Sequence, residues 1–75
     1  MRALIEKPED IGRFVQRIRT EAHLTQRELA AALGTSQRYV SELEAGKPKR
    51  IDGNYFDLLR KLGITLSAET VVRDD

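Results

Sequence analysis

Residues 36–42, SQRYVSE, combine side chains that hydrogen-bond to nucleic-acid bases with a residue that can begin a helix. A glutamine can form two hydrogen bonds with adenine, and an arginine can do the same with guanine. Gln37 and Arg38 are adjacent, Tyr39 follows them, and Ser41 comes one helical turn after Gln37. We therefore expect these four side chains to contact base edges in a DNA major groove. An ordinary solvated helix face is the alternative.

A second set of side chains suits contacts with the phosphate backbone. A glutamine begins the preceding helix, where free backbone amides and a side-chain amide can hold a phosphate. Residues 47–50, KPKR, place three positive charges in four positions beyond the third helix. A solvated loop is the alternative for this run. The predicted phosphate contacts are Gln26, Ser36, Lys47, Lys49 and Arg50.

Three side chains beside this expected DNA face have more than one interpretation. Tyr39 can pack on a sugar and a thymine methyl group, or it can only cover Lys49. Glu42 would repel phosphates, although a carboxylate can accept from the amino group of cytosine. An intrahelical pair with Arg38, four residues earlier, is the favoured role of Glu42. Glu44 is expected to tie the turn to neighbouring backbone or to a basic side chain.

The first element needed to position these residues is an amphipathic helix of about fifteen residues. Pro8 suits a first helical turn, and Glu9 and Asp10 suit the positive end of the helix dipole. Its expected inward residues, at spacings of three and four, are Ile11, Phe14, Val15, Ile18 and Ala22. Its expected solvated residues, which a phosphate or a protein partner can also use, are Arg13, Arg17 and Arg19.

Two short helices separated by a tight turn come next. The sequence TQRE from Thr25 to Glu28 is a capping box, in which each side chain accepts from the other residue's backbone amide. Gly34 suits a left-handed helix end, Ser36 can cap the following helix, and Gly46 can end it. The expected inward residues of the two helices are Leu29, Ala30, Leu33, Val40 and Leu43.

A helix, a short turn with glycine and a second helix form a helix-turn-helix. Ala30 is small where the third helix must cross closely, and Val40 is the apolar residue that packs into this crossing. We expect the bend at Gly34 to tilt the third helix so that its first residues are exposed.

A fourth helix and a strand are predicted after the basic loop. Asp52 can cap the helix and Gly63 can end it, with Phe56, Leu59 and Leu62 inward. Apolar and polar residues then alternate, which predicts a half-buried strand over residues 64–69. A lone strand leaves two open edges, so we expect it to pair with its copy in a two-fold dimer. Residues 3–5, ALI, are the alternative partner. The expected dimer residues are Ile64, Leu66 and Ala68.

Composition narrows the classes of protein. The chain has 75 residues, which predicts a single domain over residues 1–75, and its net charge is only +1. Any nucleic-acid binding must therefore come from where charges are placed. The absence of cysteine favours a reducing cytoplasm. We expect no secretory leader and no membrane partner, because the longest apolar run is residues 29–33.

Enzymatic chemistry has little support in this sequence. The chain has no cysteine, a single histidine and no glycine-rich phosphate loop. His23 lies near the end of the first helix, where a cation is favourable, and nothing else suggests a metal ligand. We predict a protein that is not an enzyme and uses no cofactor and no metal.

Residues 24–47, LTQRELAAALGTSQRYVSELEAGK, resemble the helix-turn-helix of the lambda-repressor-like (Xre) DNA-binding family. The flanks IEKPEDIGRFVQRIRTEAHLTQ and LLRKLGITLSAE are similar to those of HipB-type antitoxins from HipA–HipB toxin–antitoxin operons. The residues that match the family pattern are Gln26, Glu28, Leu29, Ala30, Gly34, Val40, Leu43, Glu44 and Gly46.

This resemblance implies an all-α domain of four or five helices, with the helix-turn-helix at about residues 25–46 and a C-terminal strand that pairs across a dimer. It implies a homodimeric repressor that binds double-stranded operator DNA, autoregulates its operon and holds a HipA-type serine/threonine kinase toxin. Such a protein would be cytoplasmic and nucleoid-associated when bound to its operator. The alternatives are a phage-type or stand-alone repressor without a toxin, and a protein-binding module without DNA binding. The last residues, VVRDD, are expected to be frayed.

Overall fold

The computed structural model describes residues 1–72, which form four α-helices joined by short turns. Helices α1 and α2 both pack against α3. Among the described residues, no helix has the length and apolar character needed to cross a membrane. The helices are α1 (Pro8–Glu21), α2 (Gln26–Leu33), α3 (Gln37–Glu44) and α4 (Gly53–Lys61).

Helix α1 begins at Pro8, as predicted, and its first turn is fixed by Asp10. The Asp10 carboxylate accepts from the backbone N–H groups of Glu6, at 2.9 Å, and Lys7, at 3.1 Å. The hydrogen bond from Glu6 is the main cause that lowers the pKa of Asp10. The carboxylate is thereby held ionised at the positive end of the helix dipole.

The inward face of α1 agrees with the sequence pattern except at its end. Val15 is fully buried, while Ile11, Phe14 and Ile18 are partly buried. The prediction that Ala22 faces inward is wrong, because α1 ends at Glu21 and Ala22 is the exposed residue that caps it. The chain then turns away through His23, which has a positive φ of 60°.

The helix-turn-helix has the predicted capping residues at the start of α2 and in the turn between α2 and α3. Thr25 Oγ1 accepts from the Glu28 amide at 3.0 Å, and the Glu28 carboxylate accepts from the Thr25 amide at 2.9 Å. Gly34 ends α2 in the left-handed conformation, with φ 70°. Ser36 Oγ accepts from the Tyr39 amide at 3.1 Å and so caps α3. These local bonds confirm the helix-turn-helix.

The hydrophobic core lies at the crossing of α2 and α3 and against α4. All five residues predicted to face inward from α2 and α3 are buried, with Val40 completely so. The small side chain of Ala30 is 3% exposed, as expected for a close crossing. The buried apolar residues are Val15, Leu29, Ala30, Leu33, Val40, Leu43, Tyr55, Leu58 and Leu59.

Helix α4 faces the core as predicted at Leu59 and Leu62 but not at Phe56. Asp52 caps it by accepting from the Tyr55 amide at 3.2 Å, and Leu59 is buried, as expected. Phe56, predicted to face inward, is 44% exposed, whereas Tyr55 is only 2% exposed. The core-facing stripe thus starts one residue earlier, at Tyr55, and continues through Leu58 and Leu59.

The predicted strand is not present in the single chain. Residues 64–72 have no regular secondary structure, and no strand is found elsewhere between residues 1 and 72. Ile64 is partly buried, while Leu66 and Ala68 are exposed. A strand needs a neighbouring strand for its backbone hydrogen bonds, and one chain offers none here. Pairing across a dimer therefore stays a prediction. The expected fraying of VVRDD falls partly on residues 73–75, outside the described residues.

Helix α1 approaches the end of α3 so closely that only glycine fits between them. A Cβ on Gly12 would lie 2.6 Å from the carbonyl oxygen of Leu43 and would also meet the carbonyl of Glu44. Gly46, with φ 73°, lies against the backbone of Glu9 in the same way. The close contact of α1 with the C-terminal end of α3 fixes the direction in which α3 points.

Candidate nucleic-acid interface

The first residues of α3 project from the body of the protein. Gln37, Arg38 and Ser41 are exposed, while Val40 and Leu43 on the opposite side of the helix are buried. Three of the four predicted base-contacting residues therefore share one accessible face. We define Gln37, Arg38 and Ser41 as the recognition face.

Tyr39 differs from its neighbours because it packs against the core. Burial, followed by the charges of Asp52 and Glu42, raises the pKa of its hydroxyl. A tyrosine hydroxyl is protonated at neutral pH even without this shift in pKa, so it can donate a hydrogen bond. The structure places Tyr39 at the margin of the recognition face.

Glu42 pairs with Arg38, the role that the sequence pattern favoured. The Arg38 Nε–H group donates to Glu42 Oε1 across 3.0 Å, one turn apart on α3. The Arg38 side chain is 78% exposed, whereas that of Glu42 is 24% exposed. The carboxylate is thus partly buried, and the guanidinium extends from it into the solvent.

Glu44 binds a basic side chain, as predicted, and that side chain is Arg19 of α1. Arg19 Nε and Nη2 donate to the two oxygens of Glu44 at 2.6 and 3.0 Å, a bidentate arrangement. Arg19 Nη1 also donates to the Leu24 carbonyl at 2.8 Å. This geometry raises the pKa of Arg19, mainly through the hydrogen bond with Glu44.

The prediction that Arg19 belongs to a solvated face is wrong. Its side chain is 13% exposed and that of Glu44 is 5% exposed, whereas Arg13 and Arg17 are exposed as expected. Arg19 lies toward α3 at the end of α1, so its partner is 25 residues away in the sequence. No local pattern in the sequence indicates this pair.

Gln26, a predicted phosphate contact, is attached to the same pair. Its side-chain amide nitrogen donates to Glu44 Oε1 at 3.1 Å. A carboxylate only accepts hydrogen bonds, so the amide of Gln26 must turn its NH₂ group toward Glu44. One N–H of that group remains for another acceptor at the start of α2. Glu44 therefore holds Gln26 and Arg19 at the point where three helices meet.

The other predicted phosphate contacts surround the ends of α3. Lys47, Lys49 and Arg50 are exposed and take part in none of the ion pairs found among residues 1–72. The Lys47 amide donates to the Glu42 carbonyl at 2.8 Å, which fixes where the basic loop leaves the helix. At the other end of α3, the Ser36 oxygen accepts a capping bond, and its hydroxyl hydrogen stays free to donate.

Two residues that position this site were missed by sequence reasoning, namely Arg19 and Gly12. Gly12 lies inside α1, far from any turn, so its position in the sequence gave no signal except an unexplained helix-interior glycine. A glycine inside a helix weakens it, so its presence there suggests that another part of the chain approaches closely. The sequence therefore contains a weak signal for the role of Gly12, whereas it contains none for the role of Arg19.

Comparison with known proteins places this geometry in a family. The model of the helix-turn-helix family matches residues 15–68. A protein of Sinorhizobium fredii, named as the uncharacterized HTH-type transcriptional regulator y4mF, is 40% identical over 62 residues, which is 83% of this chain and 82% of that protein. The chain therefore belongs to the helix-turn-helix family of transcriptional regulators.

Solved structures with the same fold include complexes of HipB. The HipA–HipB–O2–O3 complex contains a chain with a TM-score of 0.73 and 21% identity, and the match covers 95% of this chain and all of that one. A HipB–O2 20mer complex gives a TM-score of 0.74, also at 21% identity, over 96% of this chain and all of that one. At this identity the likeness shows the fold, which is the all-α helix-turn-helix fold of HipB.

Proposed function

We propose that the protein is a dimeric, sequence-specific transcriptional repressor that inserts the start of α3 into the DNA major groove. The observation that carries this proposal is the exposed recognition face, flanked by a basic loop whose charges are unpaired among the described residues. Arg38 reads a guanine and Gln37 reads an adenine, through the two-bond patterns that these side chains form best. Ser41 and Tyr39 contact the adjacent bases.

Contacts with the DNA phosphate backbone fix the position of α3 along the groove. Gln26 and Ser36 donate to phosphates beside the recognition face, while Lys47, Lys49 and Arg50 meet phosphates beyond it. In a two-fold dimer, a second recognition helix about 34 Å away enters the next major groove. The dimer forms through Ile64, Leu66 and Ala68, of which Leu66 and Ala68 are exposed in one chain.

We also propose that this repressor is the antitoxin of a HipA-type serine/threonine kinase toxin, and that the dimer autoregulates the operon that encodes both. The support is a fold shared with HipB over nearly the whole chain, including a complex that contains HipA. A stand-alone repressor is the competing possibility. Co-expression with the neighbouring genes, followed by mass measurement of the purified complex, separates the two. A co-purified kinase supports the antitoxin role, whereas its absence from a well-folded dimer contradicts it.

The DNA-binding proposal is tested by titrating the protein against the region upstream of its own gene. Arg38→Ala is expected to weaken binding by about 1–3 kcal/mol and to relax the preference at one base pair per half-site. Lys49→Ala is the matched control, because it removes a phosphate contact and should weaken binding to all sequences alike. If both variants bind as tightly as the wild type, the assigned face is wrong. If the folded dimer shifts no DNA, a purely protein-binding module replaces the repressor.

A further inference from the structure

Glu42 is an unexpected residue on a helix that enters DNA, because its carboxylate would face phosphate charge. Its one ion pair among the described residues is with Arg38, at 3.0 Å. The Glu42 side chain is 24% exposed, whereas the Arg38 side chain that it holds is 78% exposed and lies on the recognition face. The pair therefore positions the guanidinium relative to the helix.

Helix stability is a poor explanation for this pair. Exposed ion pairs one turn apart add little to folding, and an acidic residue preceding the basic one is the better order. Here Arg38 precedes Glu42, which is the less favourable order. Arg17 and Glu21 form the same arrangement on α1, at 3.2 Å and away from the recognition face. The two pairs contribute similarly little to folding, so any particular role of Glu42 must come from its position on α3.

The donors that the pair leaves free are the ones that read a base. A guanidinium has one N–H on Nε and four on its two terminal nitrogens. Glu42 occupies Nε, so the terminal edge with Nη1 and Nη2 remains unbonded among the described residues, on a side chain that is 78% exposed. That edge can form two parallel bonds to O6 and N7 of guanine.

The charge of Glu42 also favours base contacts by Arg38 over phosphate contacts. An unpaired, flexible arginine is attracted to any phosphate, which strengthens binding without sequence information. The Glu42 carboxylate offsets the charge of Arg38 and limits its range of positions. Arg38 then gains less from a phosphate, while its two bonds to a guanine are retained.

We propose that Glu42 is a specificity-determining residue, which acts through Arg38 by presenting its terminal edge to a base and disfavouring phosphate contacts. This inference rests on the proposed DNA binding. It gives a role in DNA recognition to the pair with Arg38 that the sequence pattern favoured for Glu42.

The test compares binding to two duplexes of equal length, one selected by the wild-type protein from a randomised library and one with that sequence scrambled. Glu42→Gln should tighten binding to the scrambled duplex about three- to tenfold and steepen its salt dependence by about one ion. Binding to the selected duplex should not tighten, so the ratio of the two affinities should fall by about threefold or more. Glu21→Gln makes the same change of charge on α1 and should leave that ratio unchanged.

The Arg38→Ala background shows whether Glu42 acts through Arg38. There, Glu42→Gln should no longer change the affinity ratio. Two results would overturn the proposal while leaving DNA binding intact. In one, Glu42→Gln leaves the affinity ratio at its wild-type value. In the other, Glu42→Gln lowers the ratio equally in the Arg38→Ala background. Failure of the wild-type protein to select any sequence overturns the proposed function itself. Circular dichroism checks that each variant is folded.

Discussion

The carboxylate of Glu44 joins three parts of the chain that are distant in sequence. It accepts two bonds from Arg19 at the end of α1 and one from Gln26 at the start of α2, while it belongs to α3. Pairs as buried as this one gain from their mutual bonds but leave a costly charge if either member is removed. The same residue therefore stabilises the fold and places a predicted phosphate contact.

The first prediction concerns the single residue Glu44, substituted as Glu44→Gln. The substitution leaves the Arg19 side chain, which is only 13% exposed, without its counter-charge, so we expect the free energy of unfolding to fall by about 2–4 kcal/mol. Urea denaturation followed by circular dichroism measures the change. Glu21→Gln, which breaks an exposed pair, should cost no more than about 0.5 kcal/mol. Equal effects of the two substitutions would mean that the buried pair adds nothing to stability.

At the scale of elements, the angle of α3 depends on how closely α1 approaches it. The helix α1 contributes Gly12 to the contact, and the carbonyl groups at the end of α3 occupy the space where a side chain would be. The turn at Gly34 gives α3 its bend from α2, and the contact with α1 fixes its other end. In this arrangement Gln37 and Arg38 are exposed.

Gly12→Ala is expected to destabilise the protein, although alanine is the better helix former. The added methyl group would push α1 away from α3, at a cost of about 1–3 kcal/mol. Gly53→Ala, at the start of α4, is the matched control, because a Cβ there meets nothing within 4 Å. Thermal unfolding measures both. A Gly12→Ala variant that is as stable as Gly53→Ala would contradict the close contact of α1 and α3.

Local signals in the sequence predicted the helix-turn-helix well, because each cap and turn depends on neighbouring residues. Thr25, Glu28 and Ser36 make the predicted capping bonds, and Gly34 has the left-handed conformation. The face of α4 was misjudged at Phe56, because Tyr55 and Phe56 are adjacent aromatic residues and either can begin an inward stripe. Arg19 was misjudged because its partner is remote in the sequence.

At the scale of the whole molecule, residues 64–66 leave apolar surface that one chain does not cover. Leu66 and Phe56 are exposed and border the same groove beside α4. A second copy that pairs along this segment would cover both and supply the missing strand partner. The periodicity of residues 64–69 predicted a strand, but a pattern within one chain cannot show where its partner lies.

Leu66→Asp is expected to separate the dimer, because a buried charge at a two-fold interface is repeated on both copies. Light scattering at micromolar concentration should give twice the 8.5 kDa of one chain for the wild type and a single chain for the variant. Leu4→Asp, which places the same charge on an exposed apolar residue of the N-terminal segment, should remain dimeric. If Leu4→Asp separates the dimer and Leu66→Asp does not, the interface lies at residues 3–5 instead.

The entry of the recognition face into the major groove is tested most directly by dimethyl sulfate footprinting on a selected duplex. The reagent methylates guanine N7, which lies in the major groove. We predict two clusters of protected guanines about one helical turn apart, with one guanine in each cluster exposed again by Arg38→Ala. Tight binding that leaves every guanine N7 reactive, or a protection pattern that Arg38→Ala does not change, would contradict this account.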